Sequence, residues 1–355
     1  MKKTIFPLVL LFLGSLAFGQ NKDAAEELAK EGVAYHDKGD YEGAIAKYDK
    51  ALQLDKDNLL ALAEKAMTLT YMHKYDGAIV CCQQAIEAHP DDKGLASVFV
   101  TYGNALDGLH MADKALEVYD EGLKRYPGHY HLYFNKGITL AGVKKIDEAL
   151  ACLQTAVKLN PDHAGSHNAI ARLQMVEDKR IPSLLAYSRF FVLEPEGQRA
   201  KENLGNVRAM LKGNVEQTGK NSITIKVDSD MLPDSTANGQ PKENDFALTD
   251  LTLALSAGLD YDKKNKKKTE VERFIRKFEL VCATLGETKK DNHGFYWDYY
   301  APYFREMKDK GLVETFGYIA FASSDDPKVS KWLKAHGSDI DKFYEWSSNF
   351  DWKTD

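Results

Sequence analysis

Residues 130–163 read YHLYFNKGITLAGVKKIDEALACLQTAVKLNPDH. This stretch reads as one helical hairpin closed by a proline, and four more like it surround it between residues 25 and 197. The register shows in Pro127, Pro161 and Pro195, which stand 34 residues apart. Blocks laid in that register begin at Ala25, Leu59, Ala96, Tyr130 and Ala164. Their eighth positions are all small: Gly32, Ala66, Gly103, Gly137 and Ala171. So are their twentieth: Ala44, Ala78, Ala115, Ala149 and Ser183. Short side chains at fixed places let two helices approach closely. Larger residues at other fixed places fill the space between, as at position twenty-four with Tyr48, Cys82, Tyr119, Leu153 and Tyr187. Proline ends the second helix because it has no N–H to donate.

The period and these size classes resemble the tetratricopeptide repeat family. The resemblance covers residues 25–197 in five copies: 25–58, 59–92, 96–129, 130–163 and 164–197. The first copy lacks the proline. The fifth is degraded, with His167, Gln174 and Phe190 off-pattern, as terminal copies often are where they cap a stack. The resemblance implies an α-solenoid whose first helices line a concave face. It places Met67, Tyr71, Asn104, Asp107, His131, Phe134, Asn135, Asn168 and Arg172 on that face as candidate partner-binding residues. Some members clamp a partner's C-terminal carboxylate with Lys and Asn. Asn104 and Asn135 are kept here, but Val100, Gly165 and Ala169 stand where the cations belong. A mixed apolar and amide groove instead suits an extended or helical peptide.

Outside the repeats, residues 1–19 read as a secretory signal. Lys2 and Lys3 precede an apolar run, and Ala17 and Gly19 offer small residues before a cut that leaves Gln20 first. The run is short for a membrane span, so no stable insertion is expected once it is removed. The expected location is periplasmic or secreted, in a bacterial envelope. The formal charge is −6, and loss of Lys2 and Lys3 lowers it by two more; this balance gives no reason to expect nucleic acid.

Residues 198–215 read as a capping helix and 216–245 as a linker carrying one extended arm, Ile223, Ile225 and Val227 alternating with polar residues. No partner strand follows the arm. Residues 246–355 read as a helical domain. In it Thr269 and Glu272 form a capping box, and Pro327 opens a helix behind Asp326. The fold class is therefore all-α, a repeat solenoid followed by a mainly helical domain.

No catalytic, metal or cofactor motif emerges. Residues 213–220 nearly spell a phosphate loop, but five residues separate the glycines and no strand precedes them. The aspartates at 228–234 and 260–265 lack the glycine and closing glutamate of a calcium loop. His163 and His167 stand four apart, a metal-sharing spacing, but nothing completes a site, and they read as surface and groove residues. The four cysteines read as small core residues. The lysines of 263–268 read as a solvated turn.

Three functions follow in order. The first is an exported, non-enzymatic scaffold holding a protein or peptide partner. The second is a glycan- or small-ligand-binding protein using the aromatic run at residues 295–304. The third is an unfamiliar hydrolase in residues 216–355.

Overall fold

The computed structural model of the protein describes residues 8–212, 215–219, 222–227, 232, 243–288 and 292–352. Lys2 and Lys3 of the expected signal, most of the aspartate stretch at 228–234, and Gly213 and Lys220 of the near phosphate loop lie outside the described residues. Ten helices form five hairpins: α1 (Leu8–His36) with α2 (Tyr41–Leu54), α3 (Leu59–Tyr71) with α4 (Tyr75–Ala88), α5 (Leu95–Gly108) with α6 (Ala112–Arg125), α7 (Tyr130–Gly142) with α8 (Ile146–Leu159), and α9 (Ala164–Val176) with α10 (Arg180–Leu193). The chain divides into two compact units inside α8, residues 1–152 and 153–355.

One turn closes every hairpin. Position fifteen of each block is left-handed: Gly39 (φ 78°), His73 (57°), His110 (60°), Lys144 (63°) and Asp178 (54°). The next N–H returns to the carbonyl of position eleven, as in Asp40 to Tyr35 at 3.0 Å, Lys74 to Leu69 at 2.8 Å and Met111 to Leu106 at 2.9 Å. Lys145 to Leu140 and Lys179 to Gln174 repeat it. This is the closure that satisfies the last carbonyls of a helix. The helix that follows, or the next hairpin, is often capped by a side chain. Asp40 accepts from the Gly43 N–H at the start of α2, and Asn58 from the Ala61 N–H at the start of α3, each at 2.9 Å.

In the first unit, position eight meets position twenty-four. A Cβ on Gly32 would lie 2.4 Å from the Tyr48 ring, and one on Gly103 would lie 2.2 Å from the Tyr119 ring. Glycine is therefore required where the partner is tyrosine. The second hairpin holds Ala66 with the smaller Cys82, both fully buried in one core with Leu62, Phe99, Leu106 and Tyr119. Cys81 and Cys82 are free thiols in that core, as expected. Hairpins are also tied by their connecting loops. The position-31 side chains His89 and Tyr126 reach back to the Asp57 and Asp92 carbonyls, the latter at 2.6 Å.

The second unit is built around α10. Every residue from Ile181 to Val192 is buried, so this helix faces protein all round. An ordinary surface helix buries one stripe. Packed on α10 are α9, α11 (Gln198–Lys212), α12 (Ala247–Gly258), α15 (Val313–Ala320) and a π-helical turn at Tyr296–Tyr300 that leads into α14 (Ala301–Asp309). The unit is completed by α13 (Glu270–Thr288), α16 (Pro327–Ala335) and α17 (Gly337–Ser348). The capping box forms: Thr269 N–H and Oγ1 both reach Glu272 Oε2, at 2.5 and 2.8 Å. The extended arm does have a strand partner, but it precedes the arm. β1 (Val215–Gln217) pairs antiparallel with β2 (Ile223–Ile225), and the side chains of Ile223 and Ile225 rest on Gly258.

The off-pattern residues of the fifth hairpin have a packing reason. His167 and Gln174 are buried against Tyr300 and Tyr296 of the tail, and Phe190 lies within the enclosed α10. His167 is thus a core residue and not a surface or groove one. Its Nδ1 lies 2.6 Å from the Tyr300 hydroxyl and its Nε2 2.9 Å from the Pro161 carbonyl. A carbonyl can only accept, so Nε2 carries the hydrogen and Tyr300 donates to Nδ1. Arg189 is buried too. It donates to Asp162 at 2.6 Å and to the Ser347 hydroxyl at 3.0 Å, and it lies over the rings of Tyr303 and Trp352.

Candidate functional site

Within the first unit, successive first helices touch along the series α1, α3, α5, α7, whereas α2, α4 and α6 meet one another far less. The first-helix side is therefore the inner one. Met67 and Tyr71 stand there on α3, Asn104 and Asp107 on α5, and His131, Phe134 and Asn135 on α7. Tyr71 is 60% exposed; the others are half-buried. The amides are partly engaged internally. Asn104 Oδ1 accepts from the Tyr119 hydroxyl at 2.7 Å, and Asn135 Nδ2 donates to the His131 carbonyl at 2.8 Å. Burial holds the His131 imidazole below its usual pKa, so this position is neutral near pH 7.

Asn168 and Arg172 belong to the second unit. Asn168 is 8% exposed and accepts from Asn203 of α11 at 2.9 Å, so it faces a helix and not solvent. Arg172 is exposed.

The inner side carries a feature that the groove residues alone do not show. His36 of α1, Tyr41 of α2 and Tyr71 form an aromatic cluster: His36 lies 5.1 Å from Tyr41 and 5.2 Å from Tyr71, and the two tyrosines stack at 6.1 Å. His36 is oriented by Thr68, whose hydroxyl is 2.8 Å from Nδ1. Beside the cluster lie Asp37 and Glu64. Burial, and then the Asp37 charge, raise the Glu64 carboxyl above the usual range. A carboxyl disfavoured in its charged form by a neighbouring carboxylate, near the exposed Tyr71 ring, forms a place where a cation is favoured. The repeat positions that face inward also hold Glu26 and Asp107, while Lys30 is already bonded to Glu27 at 3.0 Å. This acidic bias was legible in the sequence, at positions two and thirteen of the first block, six of the second and twelve of the third.

The aromatic run of the tail does not form an open platform. Tyr296, Trp297, Tyr299, Tyr300, Tyr303 and Phe304 are all 0–3% exposed. Trp297 stacks on Phe246 at 4.4 Å and donates to the Asp245 carbonyl at 2.9 Å, and Tyr299 donates to the Val157 carbonyl at 2.8 Å. The rings a sugar would need are spent on the core, which corrects the glycan reading of this segment.

Two repeat models match the chain, a TPR repeat over residues 32–65 and a tetratricopeptide repeat over 130–163. The chain carries tetratricopeptide repeats. The chain also resembles parts of longer proteins. Protein O-mannosyl-transferase TMTC1 of Homo sapiens is 26% identical over 192 residues, 53% of this chain and 21% of that protein. The Hsp70-Hsp90 organizing protein of Triticum aestivum is 24% identical over 281 residues, 76% of this chain and 46% of that protein. The chain thus spans less than half the length of either relative. Among solved structures, PilF of Pseudomonas aeruginosa matches with a TM-score of 0.49 and 19% identity, over 72% of this chain and 98% of that one. Among the described residues, no helix is long and apolar enough to cross a membrane and no group of three or more His, Cys, Asp or Glu is placed to hold a metal.

Proposed function

We propose that the protein is an exported, non-enzymatic scaffold whose first TPR unit holds a cationic segment of a partner protein along its inner side. The observation that carries this reading is the His36, Tyr41 and Tyr71 ring cluster, with Asp37 next to His36 in the chain, Glu64 one helical turn before Thr68, and the Asp37 charge acting on Glu64. A Lys or Arg of the partner would settle against the tyrosine faces and take both carboxylates, while Met67, Asn104, Asp107, His131, Phe134 and Asn135 read the flanking residues. Arginine suits the place better than lysine, since its planar group stacks and bonds at once. The wheat relative, named as an organiser of two other proteins, fits a scaffold role. Export rests on the signal pattern of residues 1–19, and it predicts that the secreted chain begins at Gln20.

Fluorescence anisotropy with labelled peptides tests the reading. Arg-containing peptides should bind the full chain and glutamate-for-arginine versions should not. Asp37→Asn combined with Glu64→Gln should weaken capture about tenfold or more with an unchanged melting temperature. Equal capture of acidic peptides, or no effect of the double variant, would remove the cationic-partner reading.

A further inference from the structure

A cavity of about 410 Å³ lies in the second unit, walled by α11, α12 and α13. Its volume is in the range of small-molecule sites. Its lining is mixed. Val207, Leu211, Ala257, Phe274 and Phe321 supply apolar surface. Beside it stand four cations, Arg208, Lys212, Arg273 and Lys277, against two carboxylates, Asp260 and Glu270.

Both carboxylates are already committed. Glu270 holds Arg208 at 2.8 Å, and Arg208 lies in turn over the Phe321 ring at 5.6 Å. Asp260 is shared by Lys277 at 2.6 Å and Arg276 at 2.5 Å. Lys277 is 5% exposed and also donates to the Leu211 carbonyl at 2.8 Å. One carboxylate thus balances two cations, and among the described lining residues no further acid remains for Lys212 and Arg273. Burial pulls the Lys277 ammonium below its usual pKa; Asp260 opposes this, and the charges of Arg276 and Arg273 add to it. Such a site gains by taking in negative charge.

We propose that this cavity binds an organic anion with an apolar body, a carboxylate carried on an acyl chain or aryl group. The carboxylate would sit between Arg273 and Lys277, where it supplies the charge that Asp260 cannot. The body would lie on Phe274, Phe321 and Leu211. A bare inorganic anion would leave that wall wet, and an uncharged amphiphile would leave the cations unbalanced. Nothing in this site depends on the peptide reading of the first unit.

Titration calorimetry on the full chain with octanoate as probe tests the proposal. Saturable one-to-one binding is expected, with acetate, inorganic phosphate and octyl glucoside each at least about tenfold weaker. Lys212→Gln with Arg273→Gln should weaken octanoate about tenfold or more, the unfolding midpoint of the free protein being unchanged. Lys212→Gln alone, at an exposed residue, serves as a second variant and should weaken binding in the same direction. Absence of saturable binding, an unaffected affinity in both variants, or phosphate binding as tightly as octanoate would overturn the proposal.

Discussion

Lowering the pH should destabilise the second unit through His167. This imidazole is fully buried, and burial, with the Arg189 charge adding to it, holds its pKa down at about 3. An unfolded chain binds the same proton near pH 6.5. Below about 6.5 the unfolded state therefore takes a proton that the folded state refuses, and stability falls as the pH falls. Each pH unit in that window is worth about 1.4 kcal/mol, so this one residue removes about 2 kcal/mol by pH 5 and at most about 5 kcal/mol by pH 3. The geometry explains the refusal. The Nδ1 lone pair is already taken by the Tyr300 hydroxyl, and burial raises the Tyr300 pKa, so it stays a donor. The assay is urea unfolding followed by tryptophan fluorescence. All four tryptophans, Trp297, Trp332, Trp346 and Trp352, lie in the second unit, so the signal reports on it alone. His167→Gln keeps a donor for the Pro161 carbonyl but does not titrate. Its stability is lower throughout, but its loss between pH 8 and pH 5 should be smaller than that of the parent by about 2 kcal/mol. Equal losses in the two proteins would refute the argument, since carboxylates and other histidines titrate alike in both.

Three further outcomes follow from packing. Gly103→Ala should cost about 1–3 kcal/mol by overpacking against Tyr119, and Tyr119→Cys should recover part of that cost in a double-mutant cycle, reproducing the Ala66 and Cys82 pair; additive costs would show that the contact is not the cause. His110→Gly should stabilise the first unit by about 0.5–1 kcal/mol in chemical denaturation, because a left-handed turn strains any residue with a Cβ; a loss would mean that the His110 side chain matters more than its backbone. Cys82 and Cys282, whose thiols burial pushes well up, should stay unreactive to a disulfide reagent until the chain unfolds, and prompt labelling would contradict their packing.

The repeat register was legible because steric size is written directly in residue type. Gly32 and Gly103 can be read as close contacts without knowing what they touch. The left-handed turn was not legible, because position fifteen is Gly, His, His, Lys and Asp: the constraint there is on the backbone, and four of the five tolerate it at a cost. The strand at Val215–Gln217 was not legible because three residues are too few to show alternation, and it lies upstream of the arm it pairs with. His167 and Arg189 resist sequence reading for a different reason. Their partners Tyr300, Tyr303 and Ser347 lie more than a hundred residues away, and a buried polar residue looks like a surface one until its distant partners are known. The inner-face residues were reachable through the repeat pattern, but the cation-favouring cluster needed the contact between α1, α2 and α3.

A hairpin of the first unit offers the same two faces to its neighbours as any other, so a gene that slips by one period there yields a protein one unit longer or shorter with its interfaces intact. The fifth hairpin offers no such freedom. With α10 enclosed on every side, a duplicate of it would expose twelve residues chosen for a dry interior, and a deletion would remove the helix that five other elements rest on. Length variation among descendants of this chain should therefore come in steps of 34 residues upstream of that hairpin, while the hairpin itself and the tail are inherited together as one indivisible segment.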